Sequence, residues 1–377
     1  MKVLGIETSC DDTAISIIEK DGARVRVLAN ITHSQIEAHR PYGGVFPTLA
    51  KREHAKNLVP ALDEALLRAE MNVSGTTEVP EELKTILARE PELLTALSAW
   101  LASHQKPEID QIAVTKGPGL EPALWVGINC ARALSRVWGI PVVPVNHMEG
   151  HVLISLLSPC GDDVYKLDEP RYPALSLLVS GGHTEILLSE KKGFYSRVGK
   201  TRDDAVGECF DKTARLMGLP YPGGPEISRL AHEARVQNLT SPIHLPRPMM
   251  MSGDLDMSFS GLKTAVRYGI ESHGTLSDDA RKGLAREIED AITDVLIAKL
   301  SMAHERYAYD SLVVGGGVTA NAFLRSALKT FAEERGISLY VPRIDHSTDN
   351  ALMIAIAGSL HTGTTSDLVA DGTLSIA

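Results

Sequence analysis

Two histidines give the strongest chemical signal in this sequence. They lie in the stretch VNHMEGH, which begins at Val145 where a predicted strand ends and a predicted helix begins. Histidines four residues apart share one face of a helix, with about 5–6 Å between Cβ atoms, which suits two imidazoles on one metal ion. The glutamate stands two residues after His147, so the general base of an HExxH peptidase is not reproduced. For an isolated pair such as His147 and His151, a surface or capping role is the more frequent alternative.

A third metal ligand would be needed, and Asp349 is the best candidate. It stands in STDNALMIA, where we expect Ser347 or Thr348 to begin a helix and to place Asp349 in its first turn. An N-cap is the alternative role for this cluster. Two imidazoles and one carboxylate with open coordination positions suit Fe²⁺ or Zn²⁺, and the residues alone do not choose between them.

Glycine-rich turns are predicted to follow strands at Ser180 (SGGH), Pro222 (PGGP) and Gly315 (GGGVTAN). Glycine lets backbone N–H groups approach a phosphate, and a following helix N-terminus adds a favourable dipole. None of the turns matches a P-loop. Each alone would be an ordinary turn, but three at corresponding strand ends predict a nucleotide site. Asp211, which we expect to begin a helix beside them, could bind a ribose or simply stabilise the helix start.

Two carboxylates, Asp11 and Asp12, lie in the first predicted hairpin turn. We expect them to face the same cleft from the other lobe. Aspartate is common in β-turns, so a turn role is the plain alternative. The functional alternative is a carboxylate beside the reacting phosphate or amine, with Asp11 helping to deprotonate the amine or to organise the site.

The elements that must position these residues form a repeated pattern. Three predicted strands begin each half of the chain, at residues 3–30 and 174–199, and a strand–helix–strand unit follows at 109–145 and 311–341. This pattern predicts an α/β protein of two similar lobes with mixed sheets. Ligands of such sheets bind beyond the strand ends, here in a crevice between the lobes. We expect one lobe at 1–145 plus 342–377 and the other at 146–341.

Two segments do not fit the repeat. Residues 74–108, with a helical pattern from Glu81 to His104, predict an inserted helical hairpin that is either a docking surface or a solvated excursion. Residues 235–255 are irregular and contain several prolines, which indicates a loop over the cleft or a disordered stretch.

Composition limits the class of protein. The 377 residues carry a net charge of −10, so an RNA substrate would need a local basic patch or partner proteins. No apolar run is long enough for a membrane span, and Glu7 interrupts the first one too early for a secretory signal. The cysteines are scattered and predict a reduced, cytoplasmic setting without a thiolate zinc site or disulfide framework; they are Cys10, Cys130, Cys160 and Cys209.

The chain resembles the TsaD family, the tRNA N6-adenosine threonylcarbamoyltransferases, in its bacterial and organellar branch. The matching stretches run through nearly the whole chain in family order. They are GIETSCDDTA at Gly5, YGGVFPTLAKREH at Tyr42, TKGPGLEPAL at Thr115, VNHMEGH at Val145, LLVSGGHTE at Leu177, DDAVGECFDKTARLMGLPYPGGP at Asp203, SFSGLKT at Ser258, GGGVTANAFLR at Gly315 and STDNALMIA at Ser347.

The resemblance implies an actin-like fold of the sugar kinase and Hsp70 type, and a divalent metal, Fe²⁺ before Zn²⁺, on His147, His151 and Asp349. It implies transfer of threonylcarbamoyl from threonylcarbamoyl-AMP to adenosine 37 of tRNAs that read ANN codons, together with TsaB-like and TsaE-like proteins. Ser228 matches one further family position, whose role stays open. The positions implied to bind the adenylate are Leu178, Val179, Ser180, Gly181, Gly182, Asp211, Gly224 and Asn321.

Other functions remain alternatives, because a fold does not set a function. A small-molecule carbamoyltransferase or kinase would use the same fold, and a non-catalytic ATP-binding scaffold would use the same glycine turns. The two histidines are the sole support for the alternative of a metallopeptidase. The segment at 74–108 is longer than the family pattern, which would affect docking of the partner that pairs with the first lobe.

Overall fold

The helices and strands follow the predicted order in a computed structural model that describes residues 1–363 and 368–377. The strands are β1 (Lys2–Glu7), β2 (Asp12–Asp21), β3 (Arg24–Ser34), β4 (Gln111–Gly117), β5 (Val142–Asn146), β6 (Leu157–Gly161), β7 (Val164–Leu167), β8 (Ala174–Val179), β9 (Thr184–Lys191), β10 (Phe194–Lys200), β11 (Ser311–Gly315) and β12 (Ser338–Tyr340). The α-helices are α1 (Ile36–His39), α2 (Pro47–Arg68), α3 (Glu82–Ile86), α4 (Pro91–Leu101), α5 (Glu121–Trp138), α6 (His147–Ile154), α7 (Val206–Leu216), α8 (Gly223–Val236), α9 (Ser260–His273), α10 (Asp278–Tyr307), α11 (Ala322–Arg335) and α12 (Ala351–Gly358).

Both sheets share one order over five strands, and the larger sheet adds β7 and β6, which the sequence pattern did not predict. The larger sheet runs β5-β4-β1-β2-β3-β7-β6, and the smaller runs β12-β11-β8-β9-β10. In each, the first three strands pair antiparallel, and the two later strands join beside the first by parallel pairing. The parallel pairs arise because a helix connects their strands, as the repeated strand–helix–strand pattern predicted.

The chain divides into two compact units, and the division lies later than expected at both points. The first unit contains Met1–Asp168 and Asp349–Ile376, and the second contains Glu169–Thr348 and the terminal Ala377. Residues 146–168 belong to the first unit rather than the second because β7 pairs with β3 and α6 packs against α12. Residues 342–348 belong to the second because Ser347 accepts a hydrogen bond from Arg325 of α11 at 2.9 Å.

Helix α12 is the centre of the first unit. It is buried along its whole length and packs against β1, β2, β4 and α6. A helix that is apolar all round is expected inside a protein core. At eight residues it is also far too short to span a bilayer. Within residues 1–363 and 368–377, no helix is long and apolar enough to cross a membrane.

The segment at 74–108 is part of the first unit's core rather than a solvated excursion. Its predicted helix is broken into α3 and α4, with Pro91 in the first turn of the second piece, where a proline is tolerated. Leu83, Leu97 and Trp100 are buried, and α4 packs on α2 while α3 packs on α5. The Trp100 indole donates a hydrogen bond to Asp63 of α2 at 2.8 Å.

The irregular segment after α8 is held to α10 by polar contacts. The Arg247 guanidinium pairs with Glu287 at 2.6 Å and with Asp294 at 2.9 Å. The buried ammonium of Lys299 donates to the Ser252 hydroxyl at 2.9 Å and to the Asp254 carbonyl at 2.7 Å. The segment is therefore ordered, and the disordered alternative is wrong.

Candidate metal centre and nucleotide subsite

Helix α6 presents both histidines on one face, as the spacing predicted. It begins where β5 ends, and the Asn146 side chain caps it by accepting hydrogen bonds from the N–H groups of Met148 at 2.8 Å and Glu149 at 3.3 Å. His147 and His151 are both buried. Their ring centroids are 4.7 Å apart and their planes meet at 89°.

The carboxylate of Asp349 completes the cluster. Its Oδ1 lies 3.1 Å from Nε2 of His151 and 3.4 Å from Nε2 of His147. The expected position of Asp349 within a helix is wrong, because α12 begins at Ala351 and the N-cap is Asn350, which accepts a hydrogen bond from the N–H of Met353. The capping alternative therefore belongs to Asn350, and Asp349 points at the histidines.

Glu7, at the end of β1, fixes the orientation of His147. One oxygen, Oε2, lies 3.0 Å from Nδ1 of His147 and accepts a hydrogen bond from the Thr115 hydroxyl at 2.6 Å. The other accepts the N–H of Ser9 at 2.5 Å. Since an ionised carboxylate only accepts, Nδ1 carries a proton. The pKa of His147 is raised to about 10, so without a metal Nε2 is protonated as well, and a metal would bind there in place of that proton. This arrangement fits a metal at Nε2, because ligand histidines usually donate their other N–H to a carboxylate.

The donor set itself fits one divalent cation. The three candidate ligand atoms, one each from His147, His151 and Asp349, lie within 4.8 Å of one another. The two imidazoles come from α6 and the carboxylate oxygen from Asp349, two residues before α12, and together they leave coordination positions open. Within the described residues, Nδ1 of His151 is buried without a hydrogen-bond partner, so the two histidines are not supported alike.

Burial and charge act against each other in this cluster. Burial lowers the pKa of His147, but the Asp349 and Glu7 carboxylates outweigh it and raise the pKa to about 10. Burial raises the pKa of Glu7 and of Asp349, but attraction to His147 outweighs it and holds both pKa values below their usual range. The pKa of His151 is lowered chiefly by burial. Both carboxylates are therefore anionic, the form a metal ligand and its supporting group need.

Asp11 and Asp12 lie on the hairpin between β1 and β2, in the same unit as the cluster. Burial, followed by repulsion from Asp349, raises the pKa of Asp11. Burial, then Asp11 and Asp349, raises the pKa of Asp12 to about 7. The mutual repulsion shows that the hairpin carboxylates lie within electrostatic reach of Asp349. The backbone carbonyl of Asp11 accepts the N–H of Gln35 at 2.9 Å, which fixes the turn.

The second unit contains the glycine turns. Leu178 and Val179 are the buried end of β8, and Ser180, Gly181 and Gly182 form the turn into β9. A Cβ on Gly181 or Gly182 would meet no atom within 4 Å, so the turn is open above both glycines.

Two other glycines bring neighbouring backbone against this turn. Gly207, in the first turn of α7, donates its N–H to the Ser180 carbonyl at 3.1 Å, and a Cβ there would lie 2.7 Å from Cα of Gly181. Gly316, which follows β11, has φ of +96°, and a Cβ there would lie 2.4 Å from the carbonyl oxygen of Val179. The predicted convergence of the turns after β8 and β11 is thus observed.

Two expectations about the next turn are wrong. Asp211 does not begin a helix but lies in the middle of α7, where its Oδ1 accepts the N–H of Gly223 at 2.7 Å. The turn at Pro222 follows a helix, not a strand, and leads directly into α8. Asp211 therefore ties α7 to the start of α8, beside Gly224, whose missing side chain leaves open space as far as Phe210.

Asn321 links three elements of the second unit. Its Oδ1 accepts the N–H of Leu324 at 2.8 Å and caps α11, while its Nδ2 donates to Glu289 of α10 at 2.5 Å and lies 3.4 Å from the Ser228 hydroxyl of α8. Glu289 is buried, with only 1% exposed, and its other oxygen pairs with Arg235. Sequence reasoning missed Glu289, although a carboxylate at an apolar-face position of a long helix was a signal.

Comparison with known proteins identifies the family of this chain. The sequence model of the family TsaD, tRNA N6-adenosine threonylcarbamoyltransferase, matches residues 26–79 and 92–356. The gap at 80–91 lies in the inserted segment and contains α3. A tRNA N6-adenosine threonylcarbamoyltransferase of Burkholderia vietnamiensis is 42% identical over 369 residues, which is 96% of this chain and 93% of that protein. One from Burkholderia cenocepacia is 42% identical over 370 residues, with the same coverage of both chains.

A solved structure shares the fold. Full-length HypF in its phosphate- and nucleotide-bound form aligns with a TM-score of 0.53 and 10% identity, over 95% of this chain and 54% of that one. At that identity the likeness concerns the fold alone. The expected α/β architecture of two similar actin-like lobes is confirmed.

Proposed function

This chain belongs to the TsaD family of tRNA N6-adenosine threonylcarbamoyltransferases, and on that premise we propose that it transfers threonylcarbamoyl from threonylcarbamoyl-AMP to N6 of adenosine 37 in tRNAs that read ANN codons. The observation that carries the proposal is the cluster of His147, His151 and Asp349 in a chain that matches the family over most of its length. AMP is the other product.

The adenylate would bind to the second unit. The backbone of Gly181 and Gly182 and the open start of α8 at Gly224 suit its phosphate, because no side chain covers these glycines, whereas the N–H of Ser180 is already donated to the His183 carbonyl. Asp211 and Asn321 would recognise the ribose and the base. The apolar residues Leu178 and Val179 supply the rigid strand end that positions the turn.

The metal would be held by His147, His151 and Asp349, with Glu7 supporting the first histidine. Its charge would polarise the threonylcarbamoyl group or its phosphate as a Lewis acid. Two imidazoles and one carboxylate suit both Fe²⁺ and Zn²⁺, and we propose Fe²⁺ first on the family resemblance, with Zn²⁺ as the second choice.

The chemistry requires no nucleophile on the protein, because the carbamoyl carbon is already activated by the AMP phosphate. The N6 nitrogen forms a bond to that carbon, the carbon–oxygen bond to AMP breaks, and AMP leaves with the electron pair. Asp11 accepts the proton that N6 loses, a role that its raised pKa suits. The enzyme's main contribution is to position the two reactants.

TsaB-like and TsaE-like partners are proposed from the family resemblance. A protein with net charge −10 attracts a polyanion poorly, so tRNA would be held by local basic surfaces, by such partner proteins, or by both. We place the reaction in the cytoplasm, where tRNA is modified.

The test is transfer of labelled threonylcarbamoyl from its adenylate to an ANN-decoding tRNA, with partner proteins added in turn. We expect label on adenosine 37 with the wild type and none with His147→Ala. The control is His232→Ala, an exposed histidine of α8, which should keep full activity. Absence of label with every combination of partners would overturn the proposal and favour a kinase or scaffold. Equal activity of His147→Ala and the wild type would show that the metal cluster has no role in the reaction.

A further inference from the structure

Two aromatic side chains lie exposed and stacked on the first unit. Tyr42 is 63% exposed and Phe46 is 51% exposed. Their ring centroids are 5.6 Å apart, with 16° between the planes. The loop between them contains Gly43 in a left-handed conformation, with φ of +67°, which lets the chain fold back and stack the rings. The outer ring faces are apolar surface that the first unit leaves open to solvent.

This aromatic pair, Tyr42 and Phe46, is held in place by a buried histidine. The N–H of Phe46 donates to Nδ1 of His39 at 3.2 Å, so the proton of the neutral ring is on Nε2. Nε2 of His39 then donates to Oε1 of Gln35 at 3.2 Å. Both His39 and Gln35 are buried. The loop that contains the two rings is therefore held by hydrogen bonds to buried side chains.

The same network reaches the hairpin that carries Asp11. The N–H of Gln35 donates to the Asp11 carbonyl at 2.9 Å. The Gln35 amide nitrogen lies 3.2 Å from Nδ1 of His54, and Nε2 of His54 donates to the Cys10 carbonyl at 3.0 Å. The aromatic pair is thus fixed, through a few buried side chains, to the turn that presents the proposed proton acceptor.

The neighbouring surface is basic, although the whole chain is acidic. Arg52 and Lys56 lie on α2 shortly after the pair, with Glu53 as the acid between them. Lys51 is already paired with the Glu90 carboxylate at 3.4 Å and donates to the Arg89 carbonyl at 3.1 Å. The side chains of Arg52 and Lys56 are 64% and 69% exposed, and each has only a loose contact with Glu53, at 3.7 and 3.8 Å. Proteins that bind single-stranded nucleic acids combine positive charge with exposed aromatic faces in this way.

We propose that Tyr42 and Phe46 stack an unpaired base of the substrate tRNA and so deliver the neighbouring adenosine to the site. The inference rests on the function proposed above. Enzymes that modify a base take it out of its stack, and sequence-tolerant binding of unpaired RNA uses aromatic side chains because every base has a π-face. Arg52 and Lys56 would contact the phosphates beside the stacked base.

Binding is tested with an anticodon stem–loop RNA that carries a fluorescent purine analogue next to the target adenosine, with the full-length protein and its partner proteins present. The double variant Tyr42→Ala/Phe46→Ala should bind about 10-fold more weakly and lose the fluorescence quenching of a stacked base. Tyr42→Phe should behave as the wild type, since the ring is kept. The matched control is Phe194→Ala, which removes a 60%-exposed aromatic side chain from β10.

Transfer provides the second readout. The KM for tRNA should rise about 10-fold in the double variant, while kcat at saturating tRNA and the affinity for the adenylate stay unchanged. Arg52→Gln should weaken binding more at low salt than at high salt, as expected for a phosphate contact.

Two results would overturn the proposal. One is RNA binding by the double variant at the wild-type affinity. The other is a loss of association with a TsaB-like protein while RNA binding is unchanged, which would make the pair a protein-docking surface. If the wild type transfers nothing but its RNA binding still depends on the pair, the stacking proposal stands and the proposed function fails.

Discussion

The Glu7 carboxylate holds Nδ1 of His147 at 3.0 Å, across 140 residues of sequence. Both side chains are buried, and the oxygen that faces His147 also accepts the Thr115 hydroxyl at 2.6 Å. This contact fixes the ring orientation and the tautomer of His147. His151 lacks such a support among the described residues, so the first histidine is the better organised ligand of the two.

Replacement of Glu7 by glutamine should weaken metal binding by about 10–100-fold, because the supporting charge is lost while the side-chain shape is kept. Competition with a chromogenic chelator measures the affinity without reference to activity. Glu92→Gln, at an exposed position of α4, is the control and should bind metal as the wild type does. Equal affinities for Glu7→Gln and the control would show that the contact does not support the site.

Replacement of Asp11 by asparagine should slow single-turnover transfer by about 100-fold, since the amide cannot accept the N6 proton. Binding of tRNA and of the adenylate should stay unchanged, which separates a chemical role from a structural one. The control is Asp21→Asn, at the exposed far end of the same hairpin. An unchanged rate for Asp11→Asn would exclude this carboxylate as the proton acceptor.

Replacement by alanine should lower the unfolding free energy strongly at Gly316 and hardly at all at the adjacent Gly317. At Gly316 the methyl group would lie 2.4 Å from the Val179 carbonyl oxygen, in backbone with φ of +96°, so we expect a loss of about 3 kcal/mol in unfolding free energy. At Gly317 the methyl group meets nothing within 4 Å, and the change should stay within about 0.5 kcal/mol. Thermal unfolding and adenylate titration measure both variants. Similar losses for the two would contradict the close packing of Gly316 on β8.

The contribution of His54 to the stability of the first unit should fall in mild acid because this histidine is buried and neutral. Burial lowers its pKa to about 4, while an unfolded histidine has a pKa near 6.5. Between these values the unfolded chain binds a proton at this histidine that the folded chain does not. The contribution of His54 to the unfolding free energy should therefore drop as the pH falls from about 6.5 to about 4, by about 3 kcal/mol in total. Asp12, whose pKa is raised to about 7, acts in the opposite direction over the same range, so the effect of His54 is measured by comparing the wild type with a His54 variant.

Tryptophan fluorescence during urea unfolding reports this unit alone, since the three tryptophans, Trp100, Trp125 and Trp138, all belong to it. His54→Gln should reduce the difference in unfolding free energy between pH 7 and pH 4.5. The exposed-site variant His232→Gln should keep the wild-type difference. If His54→Gln kept it as well, another group would be the cause.

Local patterns were enough to predict much of the fold and the core of the candidate site. Helical spacing placed His147 and His151 on one face, and the repeated strand pattern gave both sheets, because these features depend on residues near each other in sequence. The start of α12 was misplaced by a few residues because Ser347, Thr348, Asp349 and Asn350 can all cap a helix, and only packing selects Asn350.

Contacts between distant residues could not be predicted in this way. Glu7 finds its partner only after β1, β4 and α6 have come together, although a carboxylate inside an apolar strand does indicate that a partner exists. Asp211 was expected at a helix start but lies within α7. Its partner, the N–H of Gly223, lies in a different helix, so the pattern around Asp211 could not show this contact. The insertion was expected to be either a docking surface or a solvated excursion, because the pattern of one segment cannot show that its apolar face packs on α2 and α5.

Because α12 follows the second unit in the chain, the core of the first unit is completed after the second unit has been synthesised. The second unit is almost wholly one continuous stretch, Glu169–Thr348, so it can acquire its core while synthesis continues. The larger sheet, whose seven strands all lie within the first 168 residues, must wait for a helix that ends at Gly358. Asp349 emerges just before that helix. A chain that stops short of residue 349 contains both histidines, but neither their carboxylate nor the helix that fills the core beneath them.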